Sequence, residues 1–144
     1  MRHALAALVA LAPAALAAQP MVRDCDTHIA NARNLARPYD EAIREFANGD
    51  VVLMSLLMDE PACCGAHLMV TFPDPYEGFQ SCRIVTTADE MGWGALDLPT
   101  AEASYDAATG LTVRVPIQVF DGMAFQPESV WVTVNRAEGE VTAR

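Results

Sequence analysis

After residue 49 the hydrophobic residues of the chain fall in short runs and alternations. The run 51–58 is apolar except at Ser55, and residues 111–120 alternate apolar and polar side chains, as on a strand with one buried face. Further apolar segments lie at 67–72, 79–87, 91–98 and 130–134, separated by residues typical of turns. This pattern predicts an antiparallel β meander of five to seven strands.

Two polar segments predict the loops of hairpins within this meander. Residues 106–110 and 135–139 each end in glycine, which adopts positive φ readily and so suits a bulged hairpin loop. Pro116 has no N–H group to donate to a central ladder. We therefore expect its strand to lie at a sheet edge or to contain a bulge.

Residues 26–49 show a helical periodicity instead. Asp26 or Thr27 can cap the start of a helix, and Pro38 suits the first position of a second one. Apolar side chains recur at spacings of three or four at Ile29, Ala32, Leu35, Tyr39, Ile43 and Phe46. The pattern predicts two short helices, or one kinked helix, ending at Asn48-Gly49.

The two halves together predict an α+β fold. In this fold an N-terminal helical segment packs on, or is tethered to, the antiparallel meander. An all-β sandwich with a helical N-terminal extension is the alternative. Both would use residues 18–144, whose 127 residues are enough for one domain with a sizeable core.

Residues 1–17 have the features of a cleaved signal peptide. Arg2 supplies a positive charge, residues 4–18 are apolar, and Ala15-Leu16-Ala17 is a small-x-small cleavage pattern. The apolar run is shorter than the roughly 20 residues of a membrane-spanning helix. We expect residues 18–144 to be a single exported domain, periplasmic or secreted from a bacterium, with no stable membrane anchor after cleavage.

The charge of the chain excludes several classes of function. It carries 19 acidic residues against nine Lys+Arg, for a net charge of −10, and it contains no lysine. This acidity disfavours nucleic-acid binding, since little could neutralise phosphates. The absence of lysine excludes Schiff-base chemistry. No phosphate-binding loop, dinucleotide fingerprint or serine-hydrolase motif is present, and no cofactor is predicted.

Four cysteines are the strongest candidates for chemistry: Cys25, Cys63, Cys64 and Cys82. An even number of cysteines in an exported domain predicts two disulfides. A bond between the neighbours Cys63 and Cys64 needs a small strained ring, so it is disfavoured. We therefore predict that Cys25 pairs with Cys63 or Cys64, and that the other of these two pairs with Cys82.

A metal site is the alternative use of the same residues. Cys25 and His28, and likewise Cys64 and His67, form two Cys-x-x-His units that could give a tetrahedral Cys₂His₂ set for zinc. Copper(I) would also suit, with help from the thioethers of Met54, Met58 or Met69. In that case Cys63 and Cys82 would form one disulfide. A switchable Cys63–Cys64 bond is a further alternative.

No catalytic constellation stands out, so we predict a non-catalytic binding or interaction module of the bacterial envelope. Its partner, an unknown protein or envelope component, and its oligomeric state stay open. A zinc or copper protein is the first alternative, and a small hydrolase or redox protein is the second. The acid pairs Asp59-Glu60 and Asp89-Glu90 are interpreted as turn residues. Three aromatic residues are candidates for a ligand site: Trp93, Phe125 and Trp131.

Overall fold

The computed structural model describes residues 19–59 and 63–144 of the chain. Within these ranges no helix is long and apolar enough to cross a membrane. The predicted signal peptide lies outside the described residues. The strands are β1 Pro20–Asp24, β2 Ile43–Phe46, β3 Val51–Leu57, β4 Ala66–Pro73, β5 Gln80–Thr87, β6 Ala95–Leu96, β7 Glu102–Asp106, β8 Gly110–Phe120, β9 Phe125–Asn135 and β10 Glu140–Ala143.

These strands form two antiparallel five-stranded sheets. The first has the order β1-β5-β4-β3-β2, and the second has the order β10-β9-β8-β6, with β7 pairing with β8 beside β6. Alternate side chains of both sheets meet in one hydrophobic core that includes Leu53, Val70 and Phe72 of the first sheet and Val113 and Val132 of the second. The two inner faces therefore pack on one another, as in a sandwich.

The predicted α+β fold is wrong, because residues 26–49 do not form a helical segment. The only α-helix of the described residues is the single turn α1, Tyr39–Ala42, and it is followed directly by strand β2. Two 3₁₀ turns, Ala32–Asn34 and Ala47–Gly49, are the other helical elements of the region. The helical extension of the alternative fold is absent for the same reason.

Ile29 is the only fully buried residue among the six apolar residues that suggested a helix, and it packs against a sheet. Residues 25–36, here called the covering segment, lie on the outer face of the first sheet, where Ile29 packs with Leu56 and Ile84 in a second hydrophobic cluster. The side-chain amide of Asn34 donates to the carbonyls of His28 and Ile29. Backbone groups that a helix would pair internally are thus satisfied by a side chain, which makes an irregular course possible.

The strand and hairpin predictions are more accurate. Both predicted hairpins are present, between β7 and β8 and between β9 and β10. Strand β8 shows the expected alternation of buried and half-buried residues. The described residues form ten strands, more than the five to seven predicted: β1 was not predicted, and β2 lies in the segment predicted to be helical. The stretch 91–98 supplies only the two residues of β6.

Pro116 lies in the interior of its sheet, which corrects the expectation of an edge strand. Its carbonyl accepts a hydrogen bond from the amide of Asp97 at 3.0 Å, so its nitrogen faces the same side of β8. On that side β7 pairs with β8 only as far as Arg114, and β6 begins to pair at Ile117. The N–H group that Pro116 lacks would therefore lie between the end of the pairing with β7 and the start of the pairing with β6.

Candidate functional site

The sheet register explains how the four cysteines pair. Strand β1 is antiparallel to β5 with Asp24 opposite Arg83, and the next step of this register places Cys25 opposite Cys82. These two cysteines form a disulfide with their Cα atoms 5.6 Å apart. Cys63 and Cys64 are bonded to each other as a vicinal disulfide. The predicted pairing of Cys25 with Cys63 or Cys64 is therefore wrong.

This pairing also removes the thiolates that a metal site would need. Cys25 and Cys64 are both oxidised, so neither Cys-x-x-His unit offers a free sulfur. Among the described residues no cluster of three or more His, Cys, Asp or Glu side chains has the arrangement of a metal site. The thioethers of Met58 and Met69 pack against the second hydrophobic cluster.

His67 is a buried core residue on β4. Its side chain is 1 % exposed, and its Nδ1 is hydrogen-bonded to Oγ1 of Thr86 at 2.7 Å. The pKa of His67 is lowered from 6.5 to about 4, mainly by burial and also by the charge of His28, while Glu90 opposes the shift. His67 is therefore neutral at pH 7 and acts as a structural hydrogen-bonding group.

The vicinal disulfide lines a pocket at one end of the sandwich. This disulfide pocket has a volume of about 270 Å³, and Cys63 and Cys64 form part of its wall. Trp93, Met91 and Phe120 are its other large side chains. The remaining lining residues are Thr87, Asp89, Gly92 and Val119. The wall thus combines two sulfur atoms, an indole and a phenyl ring with one carboxylate, which suits an apolar ligand group.

Trp93 connects this pocket to the core. Its backbone pairs with Ala66 at the start of β4, and its side chain is 2 % exposed. The indole Nε1 is buried and has no hydrogen-bond partner among the described residues. A buried donor without an acceptor costs about 1–3 kcal/mol.

Gly92 is needed for the close approach of the pocket loop to β4. Its φ is +79°, and a Cβ at this position would lie 2.6 Å from the carbonyl oxygen of Ala66 and 2.8 Å from Cε1 of His67. We expect Gly92→Ala to lower the free energy of unfolding by about 2 kcal/mol, as measured by urea denaturation. Gly78→Ala is the matched control, because Gly78 also has a positive φ but no atom lies within 4 Å of its Cβ position.

The loss for Gly78→Ala should be smaller, about 1 kcal/mol, since only the backbone conformation is penalised there. Equal losses in the two variants would contradict the steric explanation.

The predicted turn position of one acid pair agrees with the structure. Asp89 and Glu90 follow β5 in an exposed turn, where Oδ1 of Asp89 accepts hydrogen bonds from Thr87 and from the amide of Met91. Glu90 forms an ion pair with Arg23. Asp59 is exposed, and its neighbour in sequence lies outside the described residues. Asp89 is the one carboxylate of these that lines the disulfide pocket.

Two of the three candidate aromatic residues lie at the same end of the sandwich. Trp93 lines the disulfide pocket, and Phe125 packs on Phe120 of the same pocket with ring centroids 5.4 Å apart and the rings tilted by 52°. Trp131 lies on the outer face of the second sheet, and the guanidinium groups of Arg114 and Arg144 are each 6.0 Å from its ring centroid. A larger depression of about 570 Å³ surrounds Trp131, but its lining is mainly polar.

Sequence reasoning missed Met91, Phe120 and the vicinal disulfide as members of one site. The adjacent cysteines were the available signal, but the ring that they form was judged unfavourable. Met91 and Phe120 carry no motif, and only the meeting of three loops at one end of the sandwich places them together. No protein-family model matches the chain, and neither a curated protein nor a solved structure matches it.

Proposed function

We propose that the chain is a non-catalytic, exported binding protein that accepts an apolar group of its partner in the disulfide pocket. The observation that carries this proposal is the lining of a pocket of about 270 Å³, in which Met91, Trp93 and Phe120 lie beside the vicinal disulfide. An apolar ligand group matches this lining.

Exposed apolar side chains at the same end of the sandwich support this proposal. Met91, Phe120 and Phe125 are each about half exposed, and Met123 in the β8–β9 loop is 92 % exposed. Large apolar side chains gathered on one surface are typical of interaction sites. Methionine adapts its shape to different ligands, which favours binding over catalysis.

The size of the pocket sets the expected strength of a single contact. A phenyl group or branched aliphatic side chain that loses about 100 Å² of apolar surface to the pocket gains about 2.5 kcal/mol. That value corresponds to weak binding, so a physiological partner must add contacts outside the pocket. The exposed residues around its mouth can supply them.

The periplasm is the location that we propose for this binding. The leader-like pattern of residues 1–17 supports export, and two disulfides are typical of proteins in oxidising compartments. The net charge of −10 favours a neutral or basic partner. A protein or another envelope component that presents an apolar group meets these conditions.

The uncharged fluorescent probe N-phenyl-1-naphthylamine tests whether the pocket binds an apolar group. We expect saturable binding to the mature protein, with a loss of affinity of about tenfold or more in Met91→Asp, because a carboxylate in the pocket wall would have to be desolvated. Met91 is 42 % exposed, so the substitution should be compatible with folding.

Met123→Asp is the matched control for this titration. It introduces the same charge at the same end of the molecule, but Met123 is not a lining residue of the pocket. Its affinity should stay within about twofold of the parent protein. Absence of saturable binding, or an equal loss in both variants, would contradict the proposed site.

A further inference from the structure

We propose that the Cys63–Cys64 disulfide is a thiol–disulfide exchange site that accepts electrons from a dithiol and whose reduction reshapes the disulfide pocket. The structure assigns this role to one of two disulfides in the chain, and three features separate it from the other. These features are the position of the sulfur atoms, the length of chain that each bond closes, and the covalent geometry of adjacent cysteines.

The first feature is the environment of each bond. All four cysteines are half-buried. Cys63 and Cys64, however, line the pocket at the end of the sandwich, where a small reductant can enter. Cys25, at the start of the covering segment, packs against the second hydrophobic cluster. An attacking thiolate must approach a sulfur atom along the S–S axis, so the pocket-lining pair is the more accessible target.

The second feature is the coupling of each bond to folding. The Cys25–Cys82 bond joins residues 57 positions apart, so it restricts the unfolded chain and the fold in return stabilises the bond. The Cys63–Cys64 bond joins neighbours with a sequence separation of 1 and closes no loop of chain. Folding therefore gives the vicinal bond no comparable protection against reduction.

The third feature is the covalent geometry that adjacency imposes. The Cα atoms of Cys63 and Cys64 are 3.8 Å apart, as consecutive residues must be, whereas Cys25 and Cys82 are 5.6 Å apart. Ordinary disulfides span about 4.4–6.8 Å between Cα atoms, and bonds forced outside this range are more easily reduced. The adjacency of the two cysteines thus favours reduction of their bond, as do the access from the pocket and the absence of a closed loop of chain.

The exchange consists of two balanced steps. A thiolate of the dithiol attacks one sulfur of the pair, the Cys63–Cys64 bond breaks, and the other cysteine leaves as a thiolate that takes up a proton. The second thiolate of the reductant then attacks the reductant's first sulfur atom, which is bonded to the cysteine in the mixed disulfide. The reductant leaves as a disulfide, and the second cysteine is protonated. Two electrons pass from the dithiol to the cysteine pair.

Reduction changes the wall of the pocket. Bonded sulfur atoms are about 2 Å apart, whereas two thiols must separate to at least about 3.5 Å. Trp93 lines the same pocket, so its surroundings change with the oxidation state of the pair. The consequence for ligand binding rests on the proposed function, but the exchange itself does not.

Asp89 determines which reductants react fastest. Its carboxylate lines the pocket and repels an approaching anion. Dithiothreitol, whose attacking form carries one charge, should therefore react faster than glutathione, whose attacking form carries more. Asp89→Asn keeps an acceptor oxygen for Thr87 and Met91 but removes the charge, so it should reduce the preference for dithiothreitol.

Redox titration with dithiothreitol, followed by alkylation with iodoacetamide and mass analysis, tests the exchange in the native mature protein. We expect Cys63 and Cys64 to become alkylated at a ratio of reduced to oxidised dithiothreitol that is lower, by about tenfold or more, than the ratio needed for Cys25 and Cys82. A tenfold difference in this ratio is equivalent to about 30 mV in reduction potential. Reduction of the Cys25–Cys82 bond at the same or a lower ratio would overturn the proposal, as would a native protein in which Cys63 and Cys64 resist reduction.

Fluorescence of Trp93 in a Trp131→Phe background provides a second readout that needs no ligand. A nearby disulfide quenches indole emission, so reduction should raise it, and Cys63→Ser/Cys64→Ser should show the reduced-state spectrum under oxidising conditions. An unchanged spectrum would overturn the reshaping of the pocket. If both readouts succeed but N-phenyl-1-naphthylamine binds in neither state, the proposed function fails and the exchange site stands.

Discussion

Replacement of Cys25 and Cys82 by alanine is expected to lower the free energy of unfolding by about 4 kcal/mol. The bond closes a loop between residues 57 positions apart, and its loss frees the unfolded chain. It also releases the start of the covering segment from β5. Equilibrium denaturation in urea, with the slope compared between variants, measures the change.

Cys63→Ala/Cys64→Ala is the matched control for this experiment. It removes the same number of sulfur atoms, but the vicinal bond restricts almost no chain. Its effect should stay below about 1 kcal/mol. Similar losses in the two double variants would show that chain closure is not the source of the stability.

Acidification is expected to destabilise the fold through His67 by about 3 kcal/mol in total. The pKa of the buried ring is lowered from 6.5 to about 4, so between these values the unfolded chain binds more protons than the folded one. The contribution is fully present above pH 6.5 and is lost as the pH falls toward 4. Most of this loss should be visible between pH 7.5 and pH 4.5.

Urea denaturation of the parent protein and of His67→Gln at these two pH values isolates the effect. Hydrogen bonds from backbone amides lower the pKa of Asp74, Asp106 and Asp121, so these carboxylates also favour the fold less in acid. These carboxylates are present in both proteins. The difference between the two proteins in how far the free energy of unfolding changes with pH therefore reports His67. His28→Gln, which changes an exposed histidine, should keep most of the pH dependence. If the free energy of unfolding of His67→Gln fell with pH as much as that of the parent protein, His67 would be excluded as the source of the pH dependence.

The strands of the second sheet could be predicted because one of its faces is open to solvent. Strand β8 has its buried residues at alternate positions, so period two is visible in the sequence. In strand β4 the consecutive residues Ala66, His67 and Leu68 are all buried, because the covering segment lies on one face and the second sheet on the other. The sequence of such a strand shows a continuous apolar run, which does not indicate the elements that pack on its two faces.

The covering segment could not be predicted from periodicity. Ile29 and Leu35 are spaced as on a helix, but each packs separately against the first sheet, and Leu35 pairs with Leu56 as a bridge. The same spacing is compatible with an amphipathic helix and with an irregular chain whose apolar side chains fit into a sheet surface. Only the presence of that surface decides between them.

The candidate site was predictable in its residue types but not in its assembly. The cysteines were correctly expected to be oxidised, yet their pairing depends on the register of β1 against β5, and β1 was not predicted. Once Cys25 lies opposite Cys82, the vicinal bond is the one pairing left. Trp93 was a candidate ligand-site residue, and it became part of the pocket through the contact of its backbone with Ala66.

The covering segment also makes the two outer faces unequal in their tolerance of new sequence. The first sheet has core residues on both sides, so a substitution in residues 66–68 of β4 or 84–87 of β5 alters packing whichever way its side chain points. On the outer face of the second sheet, Thr112, Thr133 and Thr142 lie in one row across three strands with no described element above them. An engineer who wished to graft an epitope or a new binding surface would choose this row.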